Sequence, residues 1–219
     1  MIWKFELKKF FSYFFPFTKK IPTQFSGNVE LTYFEGNKIL NSTHANYSYD
    51  SLQRLLKFGL EQTDLNAVKT ILLLGLGGGS VIQTLREDFH FTGKITAVEI
   101  DAVMIEIAKV EFQIIPDHKL EIVNADANEF VKSINVNYDM VIVDLFIDDH
   151  VPVDFYGESF WEQITRLLNK SGSFIFNAST TRDMNSTLLP LLKFLDKFFT
   201  IRRYDKIEGT NTIIIGQKL

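Results

Sequence analysis

Thr70-Ile-Leu-Leu-Leu-Gly-Leu-Gly-Gly-Gly-Ser80 is the stretch on which the fold turns. Its first half, Thr70 to Leu74, is an unbroken β-branched and leucine run, the mark of a strand buried on both faces. Its second half is rich in glycine, which lets the backbone turn sharply and approach a ligand, and Ser80 opens a helix whose first N–H groups face outward. Strand, glycine turn and helix together form the opening unit of a wound parallel sheet. The spacing is Gly-x-Gly-x-x-Ser, so the third glycine of the dinucleotide fingerprint is missing. The loop alone therefore leaves a ligand cradle and a plain structural turn both open.

Towards the C-terminus the same rhythm repeats. Helical spacing covers Ser80 to Asp88, Asp101 to Phe112 and Ala127 to Ile134, and strand-like runs cover Lys94 to Ile100, Leu120 to Val123 and Tyr138 to Asp144. Such alternation implies right-handed crossovers and a parallel sheet. A helix over Glu158 to Leu168, a turn at Lys170-Ser171-Gly172, a strand over Ser173 to Asn177 and a helix near Leu188 to Phe198 follow, with Pro190 expected in that helix's first turn. Phe199 to Tyr204 and Thr212 to Gly216 are joined only by Asp205 to Asn211, too short for a crossover helix, so these two strands are expected to be antiparallel. A mostly parallel sheet whose last strand is reversed is the Rossmann-like sheet of class I methyltransferases, whereas the plain dinucleotide-binding sheet finishes parallel.

Towards the N-terminus, Val29, Leu31 and Tyr33 alternate, Lys38 to Leu40 follow, and Glu35-Gly36-Asn37 lies between them, which predicts a small β-hairpin appendage. Asp50 with Gln53 reads as the start of a helix carrying Leu52, Leu55, Leu56 and Leu60 on one stripe. The expected division is an aromatic arm and hairpin over 1–48 and an α/β domain over 49–219. Within Met1 to Phe17 eight aromatic residues are interleaved with Lys4, Lys8 and Lys9. A membrane span needs ~20 predominantly apolar residues, so this run is not read as spanning. It is expected to pack on protein, across a homodimer interface.

At 219 residues one α/β domain with an appendage is the natural size. A net charge of −4 argues against a nucleic-acid partner, because phosphate-backbone binders carry a basic surplus. The absence of cysteine excludes disulfides, thiolate metal sites and a cysteine nucleophile. No metal-ligand set is read elsewhere, and the expected setting is cytoplasmic.

Beyond the glycine loop, three strand ends carry the candidate chemistry. Glu99 closes the second strand, where a carboxylate can accept hydrogen bonds from both hydroxyls of a ribose, while Asp101 reads as a helix cap. Asp126 either accepts the amine of an adenine or caps the helix that begins at Ala127. Asp144 closes the fourth strand, where it can orient an amine nucleophile, take its proton or attract a cation. For Asp148, Asp149 and His150 a part in the same crevice and a solvated loop are both open.

Ile71-Leu-Leu-Leu-Gly-Leu-Gly-Gly-Gly-Ser80, Val98-Glu-Ile-Asp101, Asn124-Ala-Asp126 and Tyr138-Asp-Met-Val-Ile-Val-Asp144 together resemble the spermidine synthase family, from Val29 to Asn177. The resemblance implies a methyltransferase-like sheet that binds decarboxylated S-adenosylmethionine for aminopropyl transfer to a polyamine, with Gly75, Gly77 and Gly79 facing the cofactor, Glu99 its ribose, Asp126 its adenine and Asp144 a reacting amine; the expected cofactor here is S-adenosylmethionine or that decarboxylated form. The full candidate cofactor set is Gly75, Gly77, Gly78, Gly79, Glu99, Ile100, Asp126 and Ala127, and the candidate catalytic residue is Asp144. The family's second acid after the fourth strand is replaced here by Ile147, with Asp148 displaced by one residue. That loss favours methyl transfer to a small molecule, with a cationic amine the first acceptor to consider, over aminopropyl transfer. A non-catalytic cofactor-binding protein is the alternative from another class, and a nicotinamide oxidoreductase fits the glycine turn but not the reversed last strand.

Overall fold

The computed structural model describes residues 11–25, 27–41, 46–48, 51–147, 150–178, 184–209 and 211–219, with backbone alone at 46–48, 51–52 and 184–185. A seven-stranded sheet contains β5 (Thr70–Leu74), β6 (Lys94–Glu99), β7 (Leu120–Asn124), β8 (Tyr138–Val143), β9 (Leu168–Ala178), β10 (Phe199–Ile207) and β11 (Asn211–Lys218). Its order is β10-β11-β9-β8-β5-β6-β7, with β7, β6, β5, β8 and β9 parallel and β11 antiparallel to both β9 and β10. The reversed strand is where the short Asp205 to Asn211 connection placed it.

Alternate residues of the central strands feed two cores. Ile71, Leu73, Ile95, Ala97, Met140 and Ile142 pack on one face with α1 (Ser51–Glu61), α2 (Ser80–Gln83) and α3 (Ala102–Phe112). Leu72, Leu74, Val98, Val141 and Val143 face the other side, against α4 (Ala127–Ser133), α5 (Glu158–Leu167) and α6 (Met184–Leu195). Trp161 of α5 is fully buried there, and its indole N–H donates to Phe155 O at 2.9 Å, so the ring is covered without orphaning its donor. At the opposite end from the glycine turn, Asp139 accepts from Lys69 N, Thr70 N and Asn169 Nδ2 at 2.8 to 3.0 Å and so ties β5, β8 and β9 together. Burial alone would raise its pKa, but these donors outweigh that and hold it below the ordinary value.

The appendage is larger than a hairpin. It is a four-stranded antiparallel sheet, β1 (Phe17–Pro22), β2 (Asn28–Phe34), β3 (Asn37–Asn41) and β4 (Asn46–Ser48), of which the predicted hairpin is the middle pair. Both turn residues, Glu35 and Gly36, have positive φ, as a two-residue hairpin turn requires. β1 escapes sequence reading because it is an edge strand. Lys19, Lys20 and Pro22 interrupt its alternation, and these are the residues that edges tolerate. Val29, Leu31 and Leu40 of this sheet share the first core with α1 and α3.

Three other expectations are corrected. Pro190 lies in the interior of α6 rather than its first turn, because the helix starts at Met184, and the ring is exposed where it meets solvent rather than core. The helix after the glycine loop passes at Gln83 into a wider turn, in which Phe89 N donates to Thr84 O at 3.2 Å. The Lys170-Ser171-Gly172 turn is an irregularity within β9, where Ser171 takes positive φ and the register to β8 shifts. Asp50 lies outside the described residues, and Gln53 Nε2 reaches Thr84 Oγ1 at 3.2 Å.

Ser12 is buried, accepting Glu35 N at its carbonyl and Gly36 N at its hydroxyl, so this part of the aromatic arm docks on the hairpin turn of its own chain. The neighbouring rings Phe11, Tyr13, Phe14 and Phe15 are more than half exposed.

Candidate functional site

The glycine loop leaves β5 along the carboxyl edge of the sheet. Gly75 N donates to Val98 O and Asp144 N to Leu74 O, so the loop's first residue is locked between β6 and β8. Gly75 has a φ of 93°, and a Cβ there would overlap the carbonyl oxygen of Asp144. Gly75 and Gly77 are half-buried, whereas Gly78 and Gly79 are covered. A Cβ at Gly79 would overlap Ile114, so its missing side chain serves packing between α2 and the segment after α3 rather than the crevice.

Glu99 is the post around which this loop is wound. Its Oε2 accepts from Leu76 N at 3.0 Å and Gly77 N at 3.1 Å, and its Oε1 accepts from Asp101 N at 3.1 Å. A carboxylate offers about four lone-pair directions, so three backbone donors leave room for one further hydroxyl and not for two. Burial raises the Glu99 pKa, the three backbone donors act against it, and the charge of Asp101 adds to the rise.

Asp101 caps α3 as expected, with Oδ1 accepting Val103 N at 2.8 Å. Its other oxygen accepts Gln24 N at 2.8 Å and Phe25 N at 3.3 Å from the loop between β1 and β2. A continuous chain of hydrogen bonds thus runs from the N-terminal sheet through Asp101 and Glu99 to the glycine loop. Asp126 takes the capping role at α4, accepting Glu129 N at 3.0 Å through Oδ1. Ala127 is buried in the second core, so its methyl does not line the crevice. Ile100 enters through its carbonyl, which accepts Asn124 Nδ2 at 2.9 Å alongside the carbonyl of Glu99.

Asp144 is half-buried at the end of β8. Its Oδ1 accepts Asn177 Nδ2 at 2.8 Å, and Oδ2 has no hydrogen-bond partner among the described residues. Burial pushes its pKa up to about 6, the Asn177 amide opposes this, and the negative charge of Glu99 adds to it. Asn177 is fully buried and in turn accepts Asn211 Nδ2 at 3.1 Å. Neither asparagine stands out in the sequence, although a polar residue ending the apolar run Phe174-Ile-Phe176 is the signal that marks the first. His150 is exposed and pairs its backbone with Ile147, while Asp148 and Asp149 lie outside the described residues. Among the described residues no group of three or more His, Asp or Glu side chains could hold a metal ion.

The site therefore places two carboxylates of raised pKa beside a loop in which four of five residues are glycine and Leu76 turns into the core, an arrangement suited to a ligand that is cationic and carries hydroxyls. Residues 55–205 match the spermine/spermidine synthase domain. Polyamine aminopropyltransferase 2 of Aquifex aeolicus is 28% identical over 216 residues, which are 93% of this chain and 42% of that protein. The eEF1A lysine and N-terminal methyltransferase homolog of Drosophila melanogaster is 30% identical over 156 residues, covering 67% of this chain and 23% of that protein. Human methyltransferase-like protein 13, solved in complex with SAH, superposes with a TM-score of 0.67 at 25% identity over 78% of this chain and 83% of its own. The chain spans less than half the length of these two curated relatives.

Proposed function

The chain belongs to the spermine/spermidine synthase family, and on that premise we propose that it is a transferase using S-adenosylmethionine or decarboxylated S-adenosylmethionine. The observation that carries this reading is the placement of Glu99 and Asp144 at the strand ends beside the glycine loop, two acids whose pKa burial raises, with the charge of Glu99 adding to the rise at Asp144, a load that a bound sulfonium would relieve. The residues fit such a group: Gly75 and Gly77 present no side chain, Glu99 keeps one lone-pair direction for a ribose hydroxyl, and Asp126 caps α4 through one oxygen only.

The group would supply an electrophilic carbon and a neutral thioether as leaving group. Asp144 Oδ2 would accept a hydrogen bond from the attacking amine, align its lone pair, and take its proton as the new N–C bond forms and the C–S pair passes to sulfur. Methyl transfer to a small cationic amine is the preferred reaction, because Ile147 stands where the family has its second acid; aminopropyl transfer is the runner-up. The relatives include enzymes of both names, which supports the class without choosing between the two.

We take the working form to be a homodimer in the cytosol, its aromatic arm at the interface. No helix among the described residues is long and apolar enough to cross a membrane. Incubation with each sulfonium donor and a panel of polyamines and short primary amines, read by product mass, tests the reading. A methylated product is expected, an aminopropylated one would move the assignment to the runner-up, and tight donor binding without any product would favour a non-catalytic cofactor-binding protein.

A further inference from the structure

Asn177 is a fully buried amide in a place where packing asks for a hydrocarbon. It follows Phe176 on β9, precedes buried Ala178, and pairs across β11 with buried Ile213. Burying an amide costs about 1–3 kcal/mol unless its hydrogen bonds are made, so the identity of this residue needs a reason beyond packing. The register supplies one. Val143 pairs with Phe176 in the parallel ladder, so one residue further on Asp144 and Asn177 stand side by side.

A carboxylate only accepts hydrogen bonds, so Asn177 must turn its NH2 towards Asp144 and its carbonyl away. That carbonyl meets Asn211 at the start of β11, whose NH2 donates to it at 3.1 Å. Two amides in series therefore run in one direction, from β11 through β9 to the acid on β8. We propose that Asn177 and Asn211 are positioning residues for Asp144, a directed amide relay that ties down Oδ1, leaves Oδ2 to the acceptor and favours the ionised acid. The proposal rests on the transferase reading for its purpose, but not for its physics.

The charged group acting on Asp144 among the described residues is Glu99 on β6, which opposes ionisation, and the Asn177 donor is what works against it. Titration of the Asp144 carboxyl by NMR, with the 13C label confined to aspartate, reads the relay without needing a ligand or an acceptor. Asn177→Leu is expected to raise the Asp144 pKa by ~1–2 units, the shift that corresponds to one lost hydrogen bond to a charged group. Asn211→Ala, at a half-buried position, should give a smaller rise because the Asn177 amide loses its orienting donor. Asn177→Asp keeps the shape and secures the test if the leucine variant does not fold; it should give a carboxylate pair titrating in two separated steps. An unchanged Asp144 titration in folded Asn177→Leu, or a single unshifted step in Asn177→Asp, would overturn the relay. With a working acceptor, Asn177→Leu should move the acid limb of kcat/KM upward by the same interval and leave the KM for the sulfonium donor unaltered. Failure of the transferase reading would remove that kinetic readout while leaving the NMR shift in place.

Discussion

A methyl group added at Gly75 would meet the carbonyl oxygen of Asp144, which makes the glycine turn and the catalytic candidate one steric unit. Gly75→Ala combines the ~1–2 kcal/mol cost of a left-handed alanine with ~1–3 kcal/mol of overpacking, and a loss of both thermal stability and ligand affinity is expected. Thermal unfolding of that variant indistinguishable from the parent would mean that the loop relaxes freely. Asp144 itself carries a pH signature. Its pKa of about 6 in the fold exceeds the unfolded value near 3.9, so its contribution to stability is full below the unfolded value and is lost as pH rises through the folded one. Asp144→Asn removes that penalty, so its Tm should exceed the parent's at about pH 8, with the gap narrowing as pH falls below about 6 and closing only below about pH 4, by ~2–4 °C for each kcal/mol involved. A variant less stable than the parent at both pH values would show a structural acid. At this scale the sequence placed Glu99 and Asp144 at their strand ends but not their partners. Nothing in Val98-Glu-Ile-Asp101 says that the carboxylate of Glu99 is already held by three backbone N–H groups.

Whole elements were legible where periodicity was strong and opaque where an element borders solvent. The parallel strands read as apolar runs because both faces are buried, and the reversal of β11 followed from loop length alone. β1 was hidden by its own edge chemistry, and the interior placement of Pro190 by the assumption that a helix starts where its apolar stripe becomes dense. The unforeseen link between elements is Asp101, whose two oxygens join α3 to the loop between β1 and β2. Asp101→Ala should cost about 1–2 kcal/mol as a lost cap, and amide exchange at Gln24, Phe25 and Val103 should accelerate together. Acceleration at Val103 alone would show that the N-terminal loop is held by other contacts.

For the molecule as a whole, the appendage and the α/β sheet share one core through Val29, Leu31 and Leu40, while the exposed rings of Phe14 and Phe15 sit on the arm docked beside Gly36. If those rings meet a second copy, light scattering should report twice the 25.3 kDa chain mass, reduced to one chain by the paired change Phe14→Ser and Phe15→Ser. A chain that is monomeric from the outset would rule out the second copy, and vesicle sedimentation would then ask whether lipid covers the exposed rings.

Whether the chain holds an adenosyl cofactor is decided by calorimetric titration of the intact chain with S-adenosylmethionine, its decarboxylated form and S-adenosylhomocysteine, with NAD as control. Saturable one-site binding of at least one adenosyl compound, none of NAD, and a loss of about 10- to 100-fold in Glu99→Ala, the worth of one hydrogen bond to a charged group, are expected. No heat and no thermal stabilisation with any adenosyl compound, from protein whose unfolding is cooperative, would contradict that expectation.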